Sequence, residues 1–159
     1  MKRLMLCAIL LGGCAATTLP PLPDMPPLQA QFGLRVMHAG MSLPLQGAVQ
    51  MAGNEGSLGV IFPHGRTLGV CRYHGGGMEC TPTGEANGKT RFMLRQIGLA
   101  VYHILPALTQ EAPWNAEAAG TATGRAVRWK ERAGGRYAEY GDPAGQMTVE
   151  IHLTEISRP

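Results

Sequence analysis

The sequence predicts a mainly-β α+β domain in which short antiparallel strands flank one helical stretch. Three observations carry that reading. Glycine (22) and proline (12) are abundant among 159 residues while aromatic residues make up only 6%, which favours turns and short strands over long helices. Apolar residues alternate with period two in several separate runs, the mark of half-buried strands. One central run instead repeats at three and four. A chain that is 45% hydrophobic and 16% charged suits one folded core and excludes a disordered or collagen-like protein.

The N-terminus precedes that domain. Met1-Lys2-Arg3, an apolar run from Leu4 to Leu11 and the small pair Gly12-Gly13 have the order of a secretory signal. Eight apolar residues rise roughly 12 Å as a helix, too little for a hydrocarbon core about 30 Å thick, so residues 1–13 are expected to be a removable signal and not an anchor. Leu11-Gly12-Gly13-Cys14 resembles the lipobox of bacterial lipoproteins. That likeness implies diacylglyceryl transfer to the Cys14 thiol, cleavage before it and acylation of the new amine, with palmitate-type chains as the membrane anchor. Ala15, not Asp, follows the cysteine, which under the sorting rule of Gram-negative envelopes implies the outer membrane, facing the periplasm. With Lys2 and Arg3 removed, twelve basic residues face eleven acidic ones. No Lys/Arg cluster interleaves with aromatics, and nucleic acid is not an expected partner.

Residues 14–31 carry prolines at 20, 21, 23, 26 and 27 and read as a polyproline-like tether able to hold a domain roughly 50 Å off the bilayer. The folded domain is then expected over 32–159, a single-domain length. Phe32, Leu34 and Val36 alternate, as do Leu45, Gly47, Val49 and Met51, before a turn at Asn54-Glu55-Gly56. Leu58, Val60 and Phe62 alternate again until Pro63-His64-Gly65-Arg66 interrupts. In the run Cys71-Arg72-Tyr73-His74-Gly75-Gly76-Gly77-Met78-Glu79-Cys80, a Gly75-Gly76 turn permits the positive φ angles of a tight hairpin and fixes its register. Cys71 then opposes Cys80 at a non-hydrogen-bonded pair, where Cα atoms approach to about 4.5 Å, and a disulfide fits. Tyr73 and Met78 share that face; Arg72 and Glu79 take the other.

Thr90 can cap a helix with the stripe Leu94, Ile97, Val101, Ile104 and Leu108. Pro106 predicts a kink or stop near Ile104. A strand over Leu99–Leu105 is the alternative, because that run is almost wholly apolar and period alone does not decide it. A small-residue loop around Trp114 follows. Residues 126–131 and 136–140 flank Ala133-Gly134-Gly135 as a second hairpin, and Met147, Val149, Ile151 and Leu153 alternate with Thr148, Glu150, His152 and Thr154 as a last half-buried strand.

The chain offers little chemistry. Cys7 leaves with the signal and Cys14 is expected to be lipidated, so Cys71 and Cys80 remain to pair in an oxidising compartment. A redox or metal-binding thiol pair with His74 as third ligand is the rival reading; the spacing is not Cys-x-x-Cys, and His74 projects to the opposite hairpin face. His74-Gly75-Gly76-Gly77 spells an oxyanion-loop motif, but no Gly-x-Ser-x-Gly elbow exists around Ser42, Ser57 or Ser157. His38, His64, His103 and His152 show no metal-ligand spacing, and phosphate-binding glycine loops are absent. No catalytic residue, metal site or cofactor is expected, and the chain is not read as an enzyme.

The lipobox, proline-rich segment, antiparallel strands, helical insert and closing hairpin are similar in order to the LolB/LolA superfamily of outer-membrane lipoprotein receptors and carriers. The chain most resembles an uncharacterised LolB-like lipoprotein family. The likeness spans roughly residues 45–155 and rests on Gln96-Ile97-Gly98-Leu99-Ala100-Val101-Tyr102-His103-Ile104-Leu105-Pro106 followed by Trp114. It implies a curved antiparallel sheet forming an open half-barrel, with one or two helices across its concave face. It also implies an apolar cavity for an acyl chain or lipidated partner, for which Val60, Phe62, Leu94, Ile97, Val101, Ile104 and Val149 are the candidate lining. No segment of this sequence is assigned to the protruding apolar loop with which the receptor inserts cargo. The alternative function is a structural accessory that positions envelope machinery, with those same residues forming a filled core.

Overall fold

The computed structural model describes residues 19–109, 127–133, 135–141 and 146–159. Among the described residues, eight strands and one helix follow in chain order. They are β1 (Met25–His38), β2 (Met41–Gly53), β3 (Glu55–Ile61), β4 (Thr67–His74), β5 (Gly77–Pro82), α1 (Gly88–Leu108), β6 (Val127–Arg132), β7 (Gly135–Gly141) and β8 (Met147–Ser157). All strand pairings are antiparallel, in the order β5-β4-β3-β2-β1-β8-β7-β6. The edge strands β5 and β6 do not pair, so the sheet is an open half-barrel. The long central strands explain its shape: β1 and β2 run 14 and 13 residues, long enough to twist strongly and curl the sheet around its apolar face.

That face is written by period-two alternation. Leu28, Ala30, Phe32, Leu34 and Val36 on β1, and Leu45, Val49 and Met51 on β2, are buried, while intervening residues face out. The helix lies across the concavity, chiefly against β4, β5 and β8, and its expected stripe of Leu94, Ile97, Val101, Ile104 and Leu108 is completely buried. A helix, not a strand, therefore occupies Leu99–Leu105.

Four expectations are corrected. The tether does not extend to residue 31: β1 begins at Met25, and Leu19 and Leu22 are already buried. Prolines 20, 21 and 23 lack N–H groups but leave carbonyls free, and the Tyr102 hydroxyl donates to the Pro20 carbonyl at 2.6 Å. Pro26 and Pro27 fall where the β1–β2 register shifts, the place a residue without a ladder donor is tolerated. The second turn lies one residue earlier than expected, since Ala52 faces Glu55 across it, with Gly53 at φ 62°. The helix is capped by Asn87, whose side-chain oxygen accepts from the Thr90 N–H at 2.9 Å; Asn87 has the extended backbone that a cap needs and Thr90 is already helical. Finally, Pro106 does not stop α1 at Ile104. In the last turn it removes a single intrahelical bond, and the end is held by Thr109 Oγ1 donating to the Pro106 carbonyl at 2.7 Å and Arg158 Nη2 donating to the Leu108 carbonyl at 2.9 Å.

Candidate functional site

The β4–β5 hairpin has the register the Gly75-Gly76 turn predicts: His74 faces Gly77, Tyr73 faces Met78, Arg72 faces Glu79 and Cys71 faces Cys80. Cys71 and Cys80 form a disulfide with Cα atoms 4.0 Å apart. Its sulfurs sit 3.7 and 3.9 Å from the Leu94 carbonyl, and the Tyr73 hydroxyl donates to the Gly98 carbonyl at 2.9 Å. The bridge is thus the seat of the helix. A Cβ on Gly98 would lie 2.7 Å from Cys71 Sγ and 2.9 Å from Cys80 Sγ, closer than side chains pack. Burial pushes the Tyr73 hydroxyl well above the usual phenol range, and the nearby Tyr102 adds to it, so Tyr73 stays a neutral donor. His74 is exposed on the outer face of the hairpin, away from the sulfurs.

Six of the seven candidate cavity residues do come together. Val60, Leu94, Ile97, Val101, Ile104 and Val149 have no exposed surface and belong to one apolar cluster, with Phe62 packed at its margin just beyond β3. Phe62 stacks on His64 at 5.3 Å. None of the clefts described below is lined by any of the seven.

Clefts lie along the outward face of β1, β2 and β3 and at both rims of the half-barrel. Where the chain enters, a groove of about 580 Å³ between β5 and α1 is lined by Leu19, His74, Met78, Arg91 and Arg95 among others. At the opposite rim, beside the start of α1, an apolar cleft of about 310 Å³ is lined by Val36, His38, Met41, Leu43, Met93 and Met147, with Ser42, Asn87, Lys89 and Thr90 at its polar margin. The β1–β2 turn builds this mouth. Ala39 (φ 49°) and Gly40 (φ 77°) are both left-handed, the geometry of a two-residue hairpin turn, and set His38 opposite Met41. His38 also faces Met147 of β8, and its Nδ1 lies 2.6 Å from the Gln146 carbonyl. Met41 is 59% exposed, an unusual place for a large apolar side chain.

Little in the sequence marks this mouth. Its one signal in the sequence is the His38-Ala39-Gly40-Met41 turn; the β8 and helix partners lie far along the chain. The burial of Glu150 is equally hidden in the sequence. That carboxylate points to the outward face, as alternation requires, yet is fully buried, because Arg132 reaches across β7 to it with bonds of 2.5 and 3.1 Å. The guanidinium also lies 4.4 Å over the Tyr137 ring, which stacks on His152 at 5.1 Å. His103 stacks on Tyr140 at 5.7 Å, and burial lowers its pKa. Among the described residues no group of three or more His, Cys, Asp and Glu is placed to hold a metal ion, and no helix is long and apolar enough to cross a membrane. Cys14 and Trp114 lie outside the described residues.

Fold and site together define an open, mainly-β half-barrel with one helix on its concave face, packed against a hairpin whose two strands a disulfide bridges. No protein-family model and no curated protein sequence matches the chain.

Proposed function

We propose that the protein is an outer-membrane lipoprotein, anchored through acylated Cys14, that binds an acyl chain or the lipidated end of a partner at the mouth of its half-barrel. The observation that carries this reading is the cleft of Val36, Met41, Leu43, Met93 and Met147. Its volume of about 310 Å³ is at the lower end of small-molecule sites, about 300–1,000 Å³. Methionines suit such a surface, because their unbranched side chains adapt to an apolar ligand. The binding site thereby moves from the helix stripe to the rim. The position of the rim fits an anchor at Cys14: five residues lead from Cys14 to buried Leu19, roughly 17 Å at most, and β1 then runs from that side to His38 at the other. The mouth thus faces away from the anchoring bilayer, toward cargo arriving through the periplasm.

Uptake of a fluorescent fatty acid tests the proposal. A Met93→Trp variant, which fills the cleft, should lose probe binding with an unchanged urea midpoint. Wild-type protein that takes up no probe would sink the reading. A second reading, the structural accessory, is favoured by the complete burial of Val60, Leu94, Ile97, Val101, Ile104 and Val149. It predicts that Val101→Trp overpacks the core at about 1–3 kcal/mol and that nothing binds.

A further inference from the structure

We propose that the same mouth holds a soft monovalent metal ion of the Cu(I) class, through the thioethers of Met41, Met93 and Met147 and the Nε2 of His38. The inference goes beyond acyl binding and does not rest on it. It starts from register: His38 faces Met41 on one side and Met147 on the other. Three sulfur- or nitrogen-bearing side chains therefore stand in one row across three adjacent strands. As the closing pair of a two-residue hairpin, His38 and Met41 exchange hydrogen bonds, so the backbone groups of His38 point toward β2. His38 and Met147 are then a non-hydrogen-bonded pair, with Cα atoms about 4.5 Å apart and side chains close. The fourth donor, Met93 of α1, lines the same cleft from above.

The imidazole is set up as a ligand. A carbonyl oxygen only accepts, so at 2.6 Å from Gln146 O the Nδ1 of His38 carries a proton, which leaves Nε2 as the ring nitrogen that can offer a lone pair to a metal ion. Holding one ring nitrogen by a backbone carbonyl is how metal-binding histidines are oriented. The donor set selects the ion. Thioether sulfur is a soft donor that suits Cu(I), whereas Mg²⁺, Ca²⁺ and Mn²⁺ take oxygen ligands. The cleft contains no Asp or Glu, and the one charged side chain on its lining, Lys89, disfavours a divalent ion more than a monovalent one. The exposure of Met41 gives the ion a path from solvent. Histidine, cysteine and carboxylate spacing does not reveal such a site, because three of its four donors are methionines.

The test uses full-length lipidated protein in detergent, titrated without oxygen against the coloured Cu(I)–bicinchoninate complex. Wild-type protein should withdraw one equivalent of Cu(I). Met41→Leu and Met147→Leu should each weaken that withdrawal roughly tenfold or more, on the scale of losses at metal-site partners, and His38→Ala should weaken it further. Leucine keeps the volume and apolarity of methionine, so the fold should persist in the leucine variants, as the urea midpoint reports. X-ray absorption at the copper edge should show both sulfur and nitrogen neighbours. Failure to withdraw Cu(I), or withdrawal undiminished in the Met41→Leu, Met93→Leu, Met147→Leu triple variant, overturns the proposal. Fatty-acid uptake by the wild-type protein beside either result leaves the acyl reading standing on its own.

Discussion

At the β1–β2 turn Ala39 holds φ 49°, the only non-glycine positive φ among the described residues. Its Cβ makes that conformation costly by roughly 1–2 kcal/mol. Ala39→Gly should therefore stabilise the domain by about 0.5–1 kcal/mol after the entropy lost by glycine, read as a raised urea midpoint. His103 makes a second residue-scale prediction. Its folded pKa is depressed by burial, so the unfolded chain binds its proton first as pH falls. Stability is then full above the ordinary imidazole pKa of about 6.5 and declines below it, until the folded pKa is also passed. His103→Phe keeps a ring against Tyr140 and should flatten the stability difference between pH 7.5 and the acid side of that window; an unchanged slope would rule out His103 as its source. At Glu150 the buried carboxylate depends on Arg132. Arg132→Met should lower the urea midpoint, and adding Glu150→Gln should recover much of the loss, because the cost is an unpaired buried charge.

Among the elements, α1 and the β4–β5 hairpin act as one unit. The disulfide closes a short loop, and replacing both cysteines by alanine should cost about 2–3 kcal/mol on the chain-entropy view. Non-reducing peptide mapping should find the Cys71–Cys80 bridge. Gly98 couples to it: a Cβ there meets both sulfurs, so Gly98→Ala should cost about 1–3 kcal/mol in the bridged protein. In the Cys71→Ala, Cys80→Ala background it should cost clearly less, since residues in contact are not additive. Equal costs in the two backgrounds would show that helix and bridge do not share this contact. The hairpin itself was readable because two glycines between matched runs leave one register. The seat of the helix was not, because Gly98 looks like any helical glycine until the sheet brings the sulfurs under it.

At the scale of the whole molecule, the half-barrel has a rim where the chain enters and an opposite rim where the β1–β2 turn and the start of α1 meet. Leu19, Met25, Gly53 and the Gly75-Gly76 turn lie toward the first, as pairing of Met25 with Gly53 and the bond from Gly75 N–H to the Asn54 carbonyl show. His38, Met41 and Met147 lie at the second. Intact-mass analysis of membrane-extracted protein should find acylated Cys14 as the first residue, and Cys14→Ser should release the protein to the soluble fraction. An unmodified soluble wild type as the main product would remove the anchor from the proposal without touching the fold.

The sequence by itself determined the strand faces, the helix stripe and the Cys71–Cys80 pairing, because each is a short-range pattern: period two, period three to four, and a turn that permits one register. Only the tertiary structure decided what covers those patterns. Leu19 and Leu22 became part of the domain by joining its apolar core, and Pro20 because Tyr102, 82 residues on, donates its hydroxyl to the Pro20 carbonyl. Glu150 became buried because a neighbouring hairpin carries Arg132. His38, Met41, Met93 and Met147 became one cleft because β1 sits between β2 and β8 beneath the start of α1, a neighbourhood that no local spacing encodes.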